Sequence, residues 1–528
     1  MSVNKTPRAF PALVLVAMAL VVFSLCAGIF ASKQAIWVDE TTQLTGLTLD
    51  FGTQLHWLAG LSDVVLGVPG DRMPPLSYWL GGLWAGLFGA GELSMRWFGI
   101  VITGLAVPPL FMAGRLAAGS LGGVFLVWLM LCAPSMVVQG VEIRAYPLFF
   151  TLSAWSVWAF ARIAFGGAVA RDWRDLAVLV LFSVLMAYAH YFGVVAAGCL
   201  FAGLFVQRLV TRGAVGAVVV AGLVALVLMA GLWPFVRSAI EMSGPGGQPP
   251  EPVGVLGALE DAARLGFRLF VHPVTLISLP LTALLLAGLA VLGLAAGTVL
   301  TRRGAARQAG IAVLVPLVLA FGVLTVLRTV IDGFNVLASH YNLWLMPLAG
   351  LALCLALRNI GDRPRWWRGL VGGAVAVVVA VQLASLALLV RNAEEYVHGS
   401  GEWVAGMIGD DPTGTLVIHD GAGVWGHAYF PIYFLTSGQV EQWLRAADGS
   451  LVRLSPTGRE PLVDPQAEER RFTRVVELES RALDSRQRAR IARGEKSCES
   501  VFGVGPKGPP TDAYCAIIGG AIWDKTPN

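Results

Sequence analysis

Eleven mostly apolar stretches, each approaching the length a helix needs to cross a hydrocarbon core, constrain this chain more than any other feature. They run roughly over 11–31, 97–114, 120–138, 147–166, 175–190, 192–207, 214–235, 274–300, 309–328, 341–357 and 369–390. A spanning helix takes about 20 residues. The rest of the composition agrees: 56% of residues are hydrophobic and 14% charged, against about 25% charged in a soluble domain. The net charge of +4 is small and sits in the loops, so nothing points to nucleic acid. The stretch Pro11 to Ala31 follows a short basic start (Lys5, Arg8). It is long for a signal peptide and lacks a good cleavage site at Ala31-Ser32-Lys33, so it reads as a retained first helix.

Arginines set the expected orientation. With the N-terminus inside, Arg115, Arg162, Arg171, Arg174, Arg208, Arg212, Arg302, Arg303, Arg307, Arg358, Arg363, Arg365 and Arg368 all fall on the inner side, as the bias of cytoplasmic loops towards basic residues requires. The segment Leu76 to Ala90 is apolar but short and Gly-rich. Counting it as a span would move every later basic loop outside, so it reads as a juxtamembrane or re-entrant helix. The expectation is an all-α membrane unit over 1–390 with about eleven spans and an outer loop at 32–96. A soluble domain over 391–528 then lies on the far side of the membrane from the N-terminus. This second part reads as a small α/β domain. Strand-like runs occur at Thr415–His419 and Thr473–Glu477, and a charged, helix-like stretch lies around 479–495. Cys26, Cys132, Cys199 and Cys354 sit singly in apolar helices, as small hydrophobes do. Cys498 and Cys515 lie in the tail, where a disulfide is expected. Ser243–Gly254 is rich in Gly and Pro and reads as a mobile surface loop.

Five polar motifs interrupt the apolar pattern, and the orientation set by arginines alone puts all of them on the outer side. They are Trp37-Val38-Asp39-Glu40, Asp71-Arg72-Met73-Pro74-Pro75, Glu142-Ile143-Arg144-Ala145-Tyr146, His190-Tyr191-Phe192 and Ser339-His340-Tyr341. Singly, each has a plain reading: an acidic cap, a loop ion pair worth little when exposed, a histidine at a helix end. Together they would line one cavity at the outer surface. Adjacent carboxylates supply a general base or a metal ligand. Arginines supply fixed charge for phosphate oxygens. Histidines and tyrosines donate hydrogen bonds and stack on sugar rings. That set fits glycosyl transfer from a lipid phosphate.

The ordered series resembles the polytopic glycosyltransferases of the C-type fold. It is most similar to the branch of protein O-mannosyltransferases and lipid A aminoarabinose transferases. The matching residues are Trp37 to Glu40, Pro74-Pro75-Leu76-Ser77-Tyr78-Trp79, Glu92 to Arg96, Glu142 to Tyr146, His190 to Gly193, and His340-Tyr341 with Pro347. They cover about the first 350 residues; the tail has no counterpart. The resemblance implies a polyprenyl-phosphate-linked sugar donor and a lipid, glycan or protein acceptor on the outer face of a cell's inner membrane. It makes Asp39 the general base for the acceptor hydroxyl, with inversion at the anomeric carbon. Glu40 would support Asp39 or help hold a divalent metal, and Glu142 would orient hydroxyls. Arg72, Arg96 and Arg144 would take the donor phosphate. Tyr146, His190, Tyr191, His340 and Tyr341 would line the site. Two positions depart from the family pattern: Met73 stands where His is frequent, and Ala145 where Ser is. The first weakens any metal reading, so no metal is assigned. Two other classes are weighed against this one. A lipid-linked-sugar flippase or transporter should carry ionisable residues near the midplane or internal repeats; the spans carry few charges mid-helix, and no repeat is visible. A scaffold would act through its tail alone.

Overall fold

The computed structural model describes residues 9–34, 36, 38–61, 70–165, 172–242, 253–270, 279–331, 335–358, 363–393, 408, 412–420, 429, 431–436, 438–446, 448–455, 458–479, 497–500 and 515–518. Contacts divide the chain into two compact units. The first holds residues up to Ala31 and from Arg72 to Arg391, the second Ser32–Asp71 and Asn392 onward. Residues 32–71 therefore group with the C-terminal tail, and Gln34 Nε2 donates to the Ala393 carbonyl at 3.1 Å.

The first unit is helical. It contains α1 (Ala9–Ala31); the second unit contributes α2 (Val38–Leu47) and α3 (Phe51–Leu58). The first unit resumes with α4 (Leu76–Phe88), α5 (Glu92–Gly104), α6 (Val107–Leu131), α7 (Pro134–Val141), α8 (Tyr146–Phe165), α9 (Asp172–Ala189) and α10 (Phe192–Val210). It continues through α11 (Gly216–Met229), α12 (Trp233–Met242), α13 (Val255–Arg268), α14 (Leu279–Gly297), α15 (Ala305–Val330), α16 (Leu345–Arg358) and α17 (Arg365–Arg391). Among the described residues, eight helical stretches are long and apolar enough to cross a membrane. The chain is a multi-pass membrane protein.

One of the eight, Glu92–Leu131, is 40 residues long and is not one rod. Ala118 and Gly119 leave helical geometry (φ −145° and +72°). The positive φ is one that glycine adopts freely. Beyond the break, a Cβ on Gly122 would lie 2.6 Å from the Gly114 carbonyl oxygen, whereas eight residues of straight helix would part them by about 12 Å. The chain doubles back just after Arg115. The two expected spans at 97–114 and 120–138 are the limbs of this hairpin. The expected spans over 175–190 and 341–357 correspond to α9, whose first turns carry Asp172, Arg174 and Asp175, and to α16, which is apolar but only 14 residues long. The short apolar segment after Pro75 is α4, 13 residues long and outside that set of eight. Polar side chains inside the bundle bond to carbonyls of neighbouring helices. Gln382 Nε2 donates to Leu129 O at 3.1 Å and Thr151 Oγ1 to Ile102 O at 2.7 Å. A buried amide or hydroxyl without such a partner is costly in a medium that offers no water.

The tail part of the second unit is a seven-stranded sheet. Its strands are β1 (Thr415–Asp420), β2 (Glu441–Arg445), β3 (Leu451–Ser455), β4 (Gly458–Pro461), β5 (Arg474–Glu479), β6 (Ser497–Ser500) and β7 (Cys515–Ile518), in the order β4-β3-β2-β1-β5-β7-β6. β2, β1 and β5 run parallel, and the outer strands pair antiparallel. A short helix, α18 (Pro465–Glu469), precedes β5; Asp464 at its N-cap accepts from the Ala467 amide at 3.0 Å. Side chains alternate along β1. Leu416 and Ile418 pack with Trp443, Phe472 and Val475. On the other face His419 is fully buried and joined to Gln442 Oε1 at 2.9 Å. The expected strands at 415–419 and 473–477 are β1 and β5. The charged stretch after Glu479, the loop over 243–252, Trp37 and the side chains of Cys498 and Cys515 lie outside the described residues.

Burial pushes the His419 imidazole down to about 4, outweighing the opposing effect of its bond to Gln442. Between pH 6.5 and about 4 the unfolded chain therefore binds a proton that the folded sheet refuses. Stability from this group is complete above pH 6.5 and is lost as pH falls towards 4, by about 3 kcal/mol at most. Denaturation of the full-length protein, followed by fluorine NMR of fluorotryptophan at Trp443, should show this acid loss, and His419→Leu should flatten it. An unchanged acid slope in the variant would assign the loss to other groups.

Candidate functional site

The α7–α8 corner is built by local chemistry. α7 ends at Val141, and Glu142 leaves the helix in extended geometry (ψ 133°). The Arg144 amide then donates to the Glu142 carbonyl at 2.8 Å, and α8 begins at Tyr146 with Pro147 in its first turn. This bend carries Arg144 and Tyr146 into the interior, where they are 8% and 2% exposed. Two other turns meet them. One is His190-Tyr191 between α9 and α10. The other is the 3₁₀ turn His340–Asn342 before α16.

The aromatic rings gather closely. Tyr146 lies 5.3 Å from His340, 6.0 Å from His190 and 6.4 Å from Tyr341, centroid to centroid. His190 is 5.6 Å from Tyr341 and stacks on Phe149 at 4.7 Å and 22°. Phe192 stacks on Tyr341 at 5.8 Å. Arg144 stands close enough for its charge to act on both imidazoles. Burial, and then Arg144, hold the His340 imidazole down to about 4, so it is neutral near pH 7. The turn that presents His340 is locked by Asn342, fully buried, whose Nδ2 donates to the carbonyls of Val336 at 2.7 Å and Ala338 at 2.9 Å.

The structure thus brings together Arg144, Tyr146, His190, His340 and Tyr341 from three separate turns. Tyr191 is half-buried at the N-cap of α10, and Glu142 is half-buried at the corner itself. Arg72 is exposed in the bend before α4. Asp39 and Glu40 belong to the second unit, in the first turn of α2, with Glu40 only 1% exposed. A helix N-terminus favours such carboxylates. For a metal they are a poor pair. Neighbouring helix positions point about 100° apart, and among the described residues no group of three His, Cys, Asp or Glu side chains could hold an ion.

Arg96 lies on α5, beside the end of α7. Only 2% exposed, it pairs with Glu92 (Nη2–Oε1 2.7 Å, Nε–Oε1 2.8 Å) and donates from Nη1 to the Val141 carbonyl at 3.2 Å. It thereby satisfies one of the orphan carbonyls at the end of α7, immediately before the corner that holds Arg144. Arg96→Met should lower stability by about 1–3 kcal/mol, with Arg96→Lys recovering part. Melting of the detergent-purified variants checks this; unchanged melting in Arg96→Met would remove the capping role.

Sequence reading missed Phe149 and Asn342. Phe149 is three residues from Tyr146 on one helix face, a spacing visible in the sequence. The role of Asn342 is set by carbonyls that only the folded turn brings near.

No family model matches the chain, and no curated protein matches it. Solved structures do. ArnT from Cupriavidus metallidurans bound to undecaprenyl phosphate is 15% identical, with 96% of this chain and 97% of that one covered and a TM-score of 0.54. The oligosaccharyltransferase of Archaeoglobus fulgidus, in complex with Zn and sulfate, is 13% identical over 81% of this chain and 62% of that one, with a TM-score of 0.51. The likeness to both is one of fold, that of the C-type polytopic glycosyltransferases.

Proposed function

We propose that this chain, which has the fold of the C-type glycosyltransferases, moves a sugar from a polyprenyl-phosphate donor to an acceptor hydroxyl on the outer face of the inner membrane. The observation that carries the reading is the gathering of Arg144 with Tyr146, His190, His340 and Tyr341 in the membrane unit. An arginine and hydrogen-bonding aromatics, held among apolar helices, suit an anionic group on a lipid and the sugar attached to it. The bound undecaprenyl phosphate in the ArnT structure is in keeping with such a donor.

In this reading Asp39 takes the proton from the acceptor hydroxyl as its oxygen bonds to the anomeric carbon. The bond from that carbon to the phosphate oxygen breaks on the opposite face, and the lipid phosphate leaves with the electron pair, so the configuration inverts. Arg144 offsets the charge on the departing phosphate, and Glu142 and the tyrosines orient hydroxyls. A phosphate leaving group makes alignment and charge the main tasks; positioning alone supplies about 7–11 kcal/mol. No step runs through a metal, since Asp39 and Glu40 do not form a set that fits one. The N-terminus is cytoplasmic and the tail extracytoplasmic in this reading.

The test is transfer of labelled sugar from a panel of polyprenyl-phosphate donors to envelope extracts by purified protein in lipid nanodiscs. Product from one donor, absent without protein, supports the reading and names the sugar. No product from any hexose, uronic acid or aminopentose donor sinks it.

A further inference from the structure

His190 is held more tightly than a lining residue needs to be. Its amide closes the last turn of α9 on Met186 O at 3.0 Å, and its carbonyl accepts from the Gly193 amide at 2.8 Å. Gly193 lies so close to α9 that a Cβ there would stand 2.5 Å from the Ala187 nitrogen. The turn can be this tight only with glycine at that position. The imidazole is 3% exposed and stacked on Phe149.

The ring's two nitrogens have different neighbours. Nδ1 lies 3.3 Å from the Phe192 backbone nitrogen, whose N–H can only donate. Nδ1 is therefore the acceptor, and the single ring proton sits on Nε2. An imidazolium would turn a second N–H against that amide, beside Arg144 and His340. Nε2 is itself buried and has no hydrogen-bond partner among the described residues. A buried N–H without an acceptor is a group whose partner is missing. With the Arg144 charge acting on the ring, an oxygen bearing negative charge is the acceptor the surroundings favour.

We infer that His190, fixed as the Nε2–H tautomer by the Phe192 amide, donates that proton to a phosphate oxygen of a polyprenyl-phosphate ligand, beside Arg144. The inference rests on the glycosyl-transfer reading for the identity of the lipid. It adds a binding residue with a defined proton and a defined partner. His190 contributes a directed hydrogen bond where Arg144 contributes charge.

The experiment uses full-length protein with ¹⁵N-labelled histidine in nanodiscs, the His190 signals being assigned with His190→Gln. The expected spectrum shows Nδ1 unprotonated and Nε2 protonated, and Nε2 shifts when undecaprenyl phosphate is added but not with undecaprenol. His190→Phe, which keeps the stack on Phe149, should weaken undecaprenyl phosphate binding about tenfold or more. His190→Gln, which restores an N–H donor, should return it to within about threefold of wild type. Nδ1 carrying the proton, an Nε2 unmoved by lipid phosphate, an equal response to undecaprenol, or wild-type binding by His190→Phe would each overturn the inference. Sugar transfer by a protein whose Nε2 does not respond would leave the enzyme reading standing and remove this one. A phosphate-dependent shift in a protein that transfers nothing would do the reverse.

Discussion

Asp39→Asn is expected to lower the rate of sugar transfer by about 10²–10⁴-fold, the range a positioned general base supplies, while leaving donor binding near wild type. The asparagine side chain keeps the size and most of the hydrogen bonding of aspartate but cannot take a proton. Asp39 and Glu40 open α2, where the positive end of the helix dipole favours carboxylates. Asp39 is half-buried, whereas Glu40 is enclosed. Single-turnover transfer with saturating donor isolates the chemical step. Donor affinity, measured apart, separates a lost base from a disturbed site. A variant that keeps more than a tenth of wild-type turnover would remove Asp39 from the mechanism. Glu40→Gln serves as the comparison. If Glu40 only supports its neighbour, its loss should cost less in rate and more in stability.

The features legible in the sequence were those that local pattern determines. Apolar length located the helices, and the α6 hairpin was readable because Arg115 and the glycines around Gly119 sit between two apolar runs. The segment after Pro75 was readable as a short helix from its length and from the basic loops that a span there would have moved outside. In the tail, β1 and β5 announced themselves by β-branched runs. β2, with the sequence EQWLR, did not, since charged residues end it and a glutamine lies in its buried middle, and β3 and β4 are short runs that carry Arg and Glu. Their assignment rests on pairing, as when Arg453 on β3 reaches Glu441 on β2 at 2.7 Å.

Tertiary placement was the part out of reach. Nothing local tells residues 32–71 to group with the tail, which depends on contacts such as Gln34 to Ala393 across the chain. Arg96 shows the same limit at one residue. Its i, i+4 pairing with Glu92 was visible as spacing, but its bond to the Val141 carbonyl was not. That bond makes it a brace for the corner. For the site itself, the sequence supplied the chemistry of Arg144, Tyr146, His190, His340 and Tyr341 without their distances. The structure supplied the distances and two residues, Phe149 and Asn342, that set the geometry of the rings around them.

Arg144→Met should reduce kcat/KM for the lipid-linked donor by about 10²–10³-fold, the loss typical when one preorganised charged or polar partner of a developing anion is removed. Arg144→Lys should fall between, because a lysine brings charge without the planar fork that matches phosphate oxygens. An electrostatic signature accompanies the kinetic one. In the wild type, burial and then Arg144 hold the His340 imidazole down to about 4. Removing the cation leaves the burial and deletes the repulsion, so His340 should titrate at a higher pH in Arg144→Met than in wild type. In Arg144→Lys its midpoint should stay near the wild-type value. Histidine ¹⁵N shifts followed between pH 3 and 8 report this directly. If His340 titrates identically in all three proteins, Arg144 does not face the histidines in the way the corner at 142–146 presents it. If the titration moves but transfer is unaffected, the arginine is beside the rings without acting on the phosphate. Only a rise in the midpoint together with the kinetic loss ties the charge at Arg144 both to the imidazoles and to the donor.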